Sequence, residues 1–205
     1  GAASMKKSIE ANEIVVLEEM DKFVDGAAVA KVGELTFEIC KKHLSEIVVV
    51  PEGKVCSVIL DLYGEEAIVA EPAGALSIAS LASLGEKIKG KNVVCILGGG
   101  NNDILRMEEI RERSLIYEGL KHYFIIRFAQ RAGAMKEFLN DVLSPTDDIV
   151  FFEYSKKTAR ERGPALVGFE IKKKEDFDGL MKRMTEAGIK FTYINDKPEL
   201  FEFLV

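Results

Sequence analysis

Apolar positions along the chain fall into two regimes. In the first, short apolar runs alternate with helical spacings. Phe37, Cys40 and Leu44 recur at intervals of three and four, which predicts a short amphipathic helix over 36–44. Residues 47–50 (IVVV) are an unbroken β-branched run, read as a buried strand. Pro51 ends that run and suits the first turn of a helix. In that helix Val55, Val58, Ile59 and Leu62 share one face, and Gly64 is placed to stop it. Pro72 and Gly74 mark a turn or a helix entry, a stretch rich in Ala and Ser follows over 75–84, and Gly85 closes it. Residues 92–97 (NVVCIL) predict a second buried strand that runs directly into Gly98-Gly99-Gly100-Asn101-Asn102. Apolar strands alternating with helices point to an α/β unit with a parallel sheet covered on both faces.

The second regime begins near residue 115. Phe124, Ile126 and Phe128 alternate along a strand over 123–128. Met135, Phe138, Leu139 and Val142 stand at helical spacing, and a strand follows at 149–154. A polar loop at 155–163 leads to a strand over 165–171, then to a helix carrying Phe177, Leu180, Met181 and Met184. Gly188 ends that helix, and 190–194 form the last strand. The order βαββαβ is the ferredoxin-like arrangement. Two domains are therefore expected, 1–114 and 115–205, with 111–119 (RERSLIYEG) as the linker.

Composition narrows the functional classes. Hydrophobic residues make up 47% and charged residues 30%, ample for buried cores. The formal net charge of −6 and the short basic patches (Lys156-Lys157 and Lys172-Lys173-Lys174) argue against a nucleic-acid surface. No apolar stretch is long enough to span a bilayer, so no membrane role is expected. Cys40, Cys56 and Cys95 are widely spaced in apolar surroundings without a CxxC pair. They read as reduced thiols of a cytoplasmic protein, with no metal site. Asp25, Asp61, His43 and His122 lack partners at metal or catalytic spacing and read as structural or surface groups.

Three segments could carry chemistry. Gly98 to Asn102 follow a strand, where missing Cβ atoms let a ligand approach the backbone; a plain tight turn gives the same pattern. Glu71, before Pro72-Ala73-Gly74-Ala75, is either a functional acid or an acid favoured at a helix entry. Arg131-Ala132-Gly133-Ala134, between a strand and a helix, offers free N–H groups to an anion such as an amino-acid carboxylate, or is an ordinary turn.

Several longer motifs stand in a characteristic order: FVDGAAVAKVG over 23–33, ILDLY over 59–63, IVAEPAGALSIA over 68–79 and GGGNND over 98–103. EGLKHYFIIRF and QRAGAMKEFLNDVL follow over 118–143. The whole chain resembles the C-terminal portion of biosynthetic threonine dehydratases, short form. The resemblance implies part of a fold-type II (tryptophan-synthase-β-like) pyridoxal-phosphate domain followed by a ferredoxin-like βαββαβ ACT-like regulatory domain. It implies conversion of L-threonine to 2-oxobutanoate and ammonia toward isoleucine, with pyridoxal phosphate as electron sink. It further implies a branched-chain amino acid as effector and a homo-oligomer.

On this resemblance Glu71 and Gly98, Gly99, Gly100 and Asn101 bind the cofactor, and Arg131, Ala132, Gly133 and Ala134 bind the effector. Gly98 takes the place of a serine that contacts the pyridine nitrogen in the family, so that hydroxyl is missing. The family's cofactor lysine and phosphate-cradling loop belong to upstream motifs. Gly1-Ala2-Ala3-Ser4-Met5 fits a mid-domain segment, so the chain is expected to begin there and to lack turnover by itself. It is also expected to expose apolar surface and to associate. The alternative is a stand-alone amino-acid-binding regulatory or assembly protein.

Overall fold

The computed structural model describes residues 1–154 and 162–204. Residues 155–161, which hold Lys156-Lys157 and most of the predicted polar loop, lie outside the described residues. The chain divides into two compact units, Gly1–Ser114 and Leu115–Val205.

The first unit is built from helices: α1 Ser4–Ala11, α2 Glu34–His43, α3 Glu52–Glu66, α4 Pro72–Ala79, α5 Leu81–Leu84 and α6 Met107–Tyr117, within which the boundary between the units falls. Its core gathers Val55, Cys56, Ile59 and Leu62 of α3, Ala75 and Ala79 of α4, Phe23, and Ile110 of α6. The apolar face expected of α3 is the one that is buried. Gly64 does not stop that helix. It lies inside α3 with open space around it, and Ala67 closes the helix in the left-handed conformation, φ +55°. The Ala- and Ser-rich stretch over 75–84 divides between α4 and α5 at Ser80, whose hydroxyl turns back to the Ser77 carbonyl at 2.7 Å. The predicted linker 111–119 is instead largely helical, because α6 buries Ile110 and bonds Ser114 Oγ to Ser57 Oγ at 3.0 Å.

The expected parallel sheet is absent from the described residues of this unit. Residues 47–50 and 92–97 belong to no ladder. A strand exists only through its neighbour, and 92–97 bonds to a helix instead. Ser77 Oγ donates to the Ile96 carbonyl at 2.7 Å, and the Cys95 thiol lies 3.8 Å from the Ser77 carbonyl. The expected exposed apolar surface results: Val94 is 90% and Ile96 81% exposed.

The second unit is the predicted βαββαβ. Strands β1 Lys121–Ala129, β2 Asp148–Tyr154, β3 Arg162–Glu170 and β4 Phe191–Tyr193 form one antiparallel sheet in the order β2-β3-β1-β4. Helices α7 Ala134–Val142 and α8 Asp176–Glu186 are the crossovers, and α9 Pro198–Leu204 follows β4. Phe124, Ile126 and Phe128 of β1 and Val167 and Phe169 of β3 pack with Phe138 and Val142 of α7 and Leu180 and Met184 of α8. The other sheet face carries Tyr123 and Leu166, covered in part by Ile116, Ile194 and Phe201. β4 is shorter than predicted. The Asn195 side chain continues its pairing, accepting from the Tyr123 N–H at 2.7 Å and donating to the Lys121 carbonyl at 2.9 Å.

His122 and Arg183 fasten this unit. His122 is buried and stacks on Phe177 at 4.0 Å. Its Nε2 lies 2.9 Å from the Gly119 carbonyl, which can only accept, so Nε2 carries the proton. Nδ1 then accepts from the Tyr193 hydroxyl at 3.0 Å. Burial pulls the His122 pKa below its ordinary value, opposed by the Gly119 hydrogen bond. Arg183 Nε donates to the Val142 carbonyl at 2.6 Å, and its Nη2 pairs with the enclosed Asp147 carboxylate at 2.5 Å. One side chain thus joins the end of α7, the turn before β2 and α8.

Candidate functional site

Glu71 and the glycine run, 27 positions apart, come together. Glu71 stands at the N-cap of α4, and its backbone N–H donates to the Gly99 carbonyl at 3.2 Å. Three glycines make the approach possible. A Cβ at Gly74 would lie 1.8 Å from the Gly98 carbonyl oxygen, and one at Gly100 would lie 2.9 Å from the Val69 carbonyl. Gly99 has φ +73°, and a Cβ there would stand 2.3 Å from the Glu71 carboxyl carbon. The carboxylate is walled on a second side by Gly26, whose Cβ position is 3.4 Å from Oε1. It accepts no hydrogen bond among the described residues, so contact alone orients it.

Gly98 differs from its neighbours. Nothing lies within 4 Å of its Cβ position, and its φ is not in the left-handed region. Packing does not require glycine there. Asn101 is exposed. The next residue, Asn102, donates from Nδ2 to Met107 Sδ at 3.7 Å, while its buried Oδ1 has no partner. A flat aromatic cofactor fits this wall. Space for it lies on the Gly98 side, where nothing is within 4 Å of the Cβ position; the Glu71 carboxyl has no hydrogen-bond partner among the described residues, and the Asn102 Oδ1 is an acceptor without a donor.

The second predicted segment has a different electrostatic setting from the one expected. Gly133, φ +86°, is the N-cap of α7, and Ala134 opens the helix. Arg131 is not free to meet an anion: Nη1 and Nη2 reach Glu137 at 2.8 and 2.5 Å, and Nη1 also reaches the Ala132 carbonyl at 3.4 Å. The hydrogen-bonded Glu137 raises the Arg131 pKa, and Arg131 lowers that of Glu137. The pair spans six residues, outside the helical spacings that sequence reasoning searches. Sequence reasoning marks Gly74 as a helix entry but not its contact with Gly98, and it misses the roles of Gly26 and Glu137, because each matters only through a distant partner or an unexpected turn. The described residues contain no group of three or more His, Cys, Asp or Glu able to hold a metal ion. Among them no helix is long and apolar enough to cross a membrane.

Comparison with known proteins resolves the relationship. The chain is 58% identical over all 205 residues to L-threonine dehydratase biosynthetic IlvA of Halalkalibacterium halodurans. It is 55% identical over the same span to the protein of that name from Bacillus subtilis. The chain belongs to the threonine dehydratase family. Residues 1–99 match the pyridoxal-phosphate dependent enzyme family, and residues 112–204 match the C-terminal regulatory domain of threonine dehydratase. The chain spans about half the length, 49%, of these curated relatives. Among solved structures, the processed form of threonine deaminase isoform 2 from Solanum lycopersicum matches at a TM-score of 0.53 and 38% identity, covering 56% of this chain and 32% of that one. The fold is accordingly α/β: part of a fold-type II domain, then a ferredoxin-like regulatory unit.

Proposed function

We propose that this chain supplies one wall of the pyridoxal-phosphate site and the amino-acid-sensing unit of a dehydratase that converts L-threonine to 2-oxobutanoate and ammonia. The observation that carries the reading is the Glu71 carboxylate, held between Gly26 and Gly99 without a hydrogen bond of its own. Bound pyridoxal phosphate supplies an electron sink for the substrate carbon that bears nitrogen. The chain's residues do the rest of what falls to this wall. The backbone of Gly98, Gly99, Gly100 and Asn101 would line the cofactor's site, and the Glu71 carboxyl would face it. Gly98 would offer it no hydroxyl.

In the regulatory unit the effector is a branched-chain amino acid. Its carboxylate is held by N–H groups at the start of α7, within the segment Arg131, Ala132, Gly133 and Ala134. Full use of the Arg131 charge requires the Glu137 pair to open. The reading carries with it a cytoplasmic location and a homo-oligomer, for which the exposed Val94 and Ile96 supply apolar surface.

Calorimetric titration of this chain with isoleucine, valine and threonine tests the sensing half. Heat with isoleucine or valine is expected, and none with any of the three removes it. With L-threonine and pyridoxal phosphate, this chain alone should form 2-oxobutanoate no faster than free cofactor does. In the complete dehydratase that contains it, Glu71→Ala should weaken cofactor binding; unchanged binding removes the cofactor half.

A further inference from the structure

We infer that Arg106 is a positioning residue for the Glu71 carboxylate, acting through the turn that carries Gly26. The inference rests on the reading of Glu71 as part of the cofactor wall. Arg106 closes the 3-10 turn Ile104–Arg106, just after the glycine run. Its guanidinium lies 4.9 Å from the centre of the Phe23 ring, itself only 4% exposed. Nη2 donates to the Phe23 carbonyl at 2.8 Å, and Nη1 stands 3.7 Å from the Asp25 carboxylate. Arg106 therefore grips both residues that flank Val24 and lead into the 3-10 turn Asp25–Ala27.

The turn's own hydrogen bonds are local: Gly26 N–H to Asp25 Oδ1 at 2.9 Å and Ala27 N–H to the Val24 carbonyl at 3.0 Å. These set its shape, while packing on α4, Val24 against the core and Arg106 set its place. Its place matters because the turn lies beside Glu71: a Cβ at Gly26 would stand 2.9 Å from the Ala73 Cβ and 3.4 Å from Glu71 Oε1. A carboxylate with no hydrogen bond points where its walls allow. The Gly99 wall is fixed by the Glu71–Gly99 backbone bond. The Gly26 wall rests on α4 and is tied from its outer side by Arg106. Arginine suits the task because its planar fork reaches a carbonyl and a carboxylate while stacking on a ring, which a lysine cannot do.

Arg113 provides the control. It also packs on Phe23, at 4.4 Å, but pairs with Asp21 and Glu109 and holds nothing in the turn. Both arginines contribute to the fold, and only Arg106 reaches the Gly26 wall.

Two measurements test the inference. In this chain, the carboxyl carbon of isotopically labelled Glu71 reports side-chain order by NMR relaxation. Arg106→Leu should make that carbon mobile, Arg106→Lys should do so in part, and Arg113→Leu should leave it ordered despite a similar loss of melting temperature. If Arg113→Leu frees Glu71 as much as Arg106→Leu, the effect is general loosening and the inference is overturned. Should Arg106→Leu fail to fold, an Arg106→Lys chain with unchanged Glu71 order overturns it equally. In the holoenzyme that contains this chain, Arg106→Leu should shift the visible band of bound pyridoxal phosphate and weaken its binding about tenfold, the low end for loss of a group that orients a ligand contact. Glu71→Gln separates the two claims. No spectral or affinity change in Glu71→Gln removes the cofactor wall, and the inference with it. A change in Glu71→Gln without one in Arg106→Leu removes the positioning role alone.

Discussion

Replacing Gly74 by alanine tests the close approach on which the cofactor wall depends. The new methyl carbon would sit 1.8 Å from the Gly98 carbonyl oxygen and 2.7 Å from that of Gly99. An ordinary C···O contact is about 3.3 Å, so the glycine loop must retreat by roughly 1.5 Å. Three effects compete. Alanine is a better helix former than glycine by about 1 kcal/mol. Overpacking costs about 1–3 kcal/mol. Retreat also breaks the 3.2 Å bond from the Glu71 N–H to the Gly99 carbonyl, worth about 1 kcal/mol. The clash wins, and a net loss of about 1–3 kcal/mol is expected. Gly98→Ala is the matched control. It meets no atom within 4 Å and needs no left-handed backbone, so it should be neutral or stabilising by up to about 1 kcal/mol. Because the chain holds two units, a single melting curve mixes them. Hydrogen exchange of α3 amides, read by mass spectrometry, isolates the first. Equal protection in Gly74→Ala and the parent chain, or an equal loss in Gly98→Ala, would refute the reasoning.

Three further outcomes follow from the buried groups. His122 has a folded pKa below its ordinary value of 6.5, so the unfolded chain binds the proton more readily. Stability of the second unit should be full above that value and fall as pH drops through it. Urea midpoints of the second unit at pH 8 and pH 5.5 check this, and a pH-independent midpoint there counts against the His122 geometry. Burial pushes the Cys56 thiol up to about 12, whereas Cys40 and Cys95 are partly exposed. Ellman's reagent should therefore find Cys56 unreactive until the chain unfolds, and fast native labelling of all three thiols would contradict its burial. Phe124 is fully enclosed between β3, β4 and α8, so Phe124→Ala should cost about 3–5 kcal/mol in the second unit by denaturant unfolding. A loss under 1 kcal/mol would mean the core is not packed as described.

The second unit was legible because each element carries its own signal. Phe138 with Val142, and Leu180 with Met184, sit at helical spacing, and Phe124, Ile126 and Phe128 alternate. Their burial on one sheet face follows from periodicity alone. The strands expected at 47–50 and 92–97 were not found, because an apolar run states a wish for burial and not the identity of a neighbour. Gly64 misled for a related reason: glycine permits a helix end without requiring one, and Ala67 adopted the left-handed position instead. At the candidate site the sequence pointed to Glu71 and the glycines, but not to their contact. Nothing local links Gly74 to Gly98, Gly26 to Glu71, or Arg131 to Glu137. These pairings depend on where the fold brings the chain, which periodicity does not encode.

Asn195 gives the small sheet an unusual margin. β1 is nine residues long, while β4 offers only three. By standing in for a peptide group against Lys121 and Tyr123, this one amide occupies the donor and acceptor that an outside polypeptide would otherwise seize. Recruitment of a foreign strand along this flank is thereby blocked near the start of β1. Replacing the amide with an aliphatic side chain would reopen the flank without touching the hydrophobic interior.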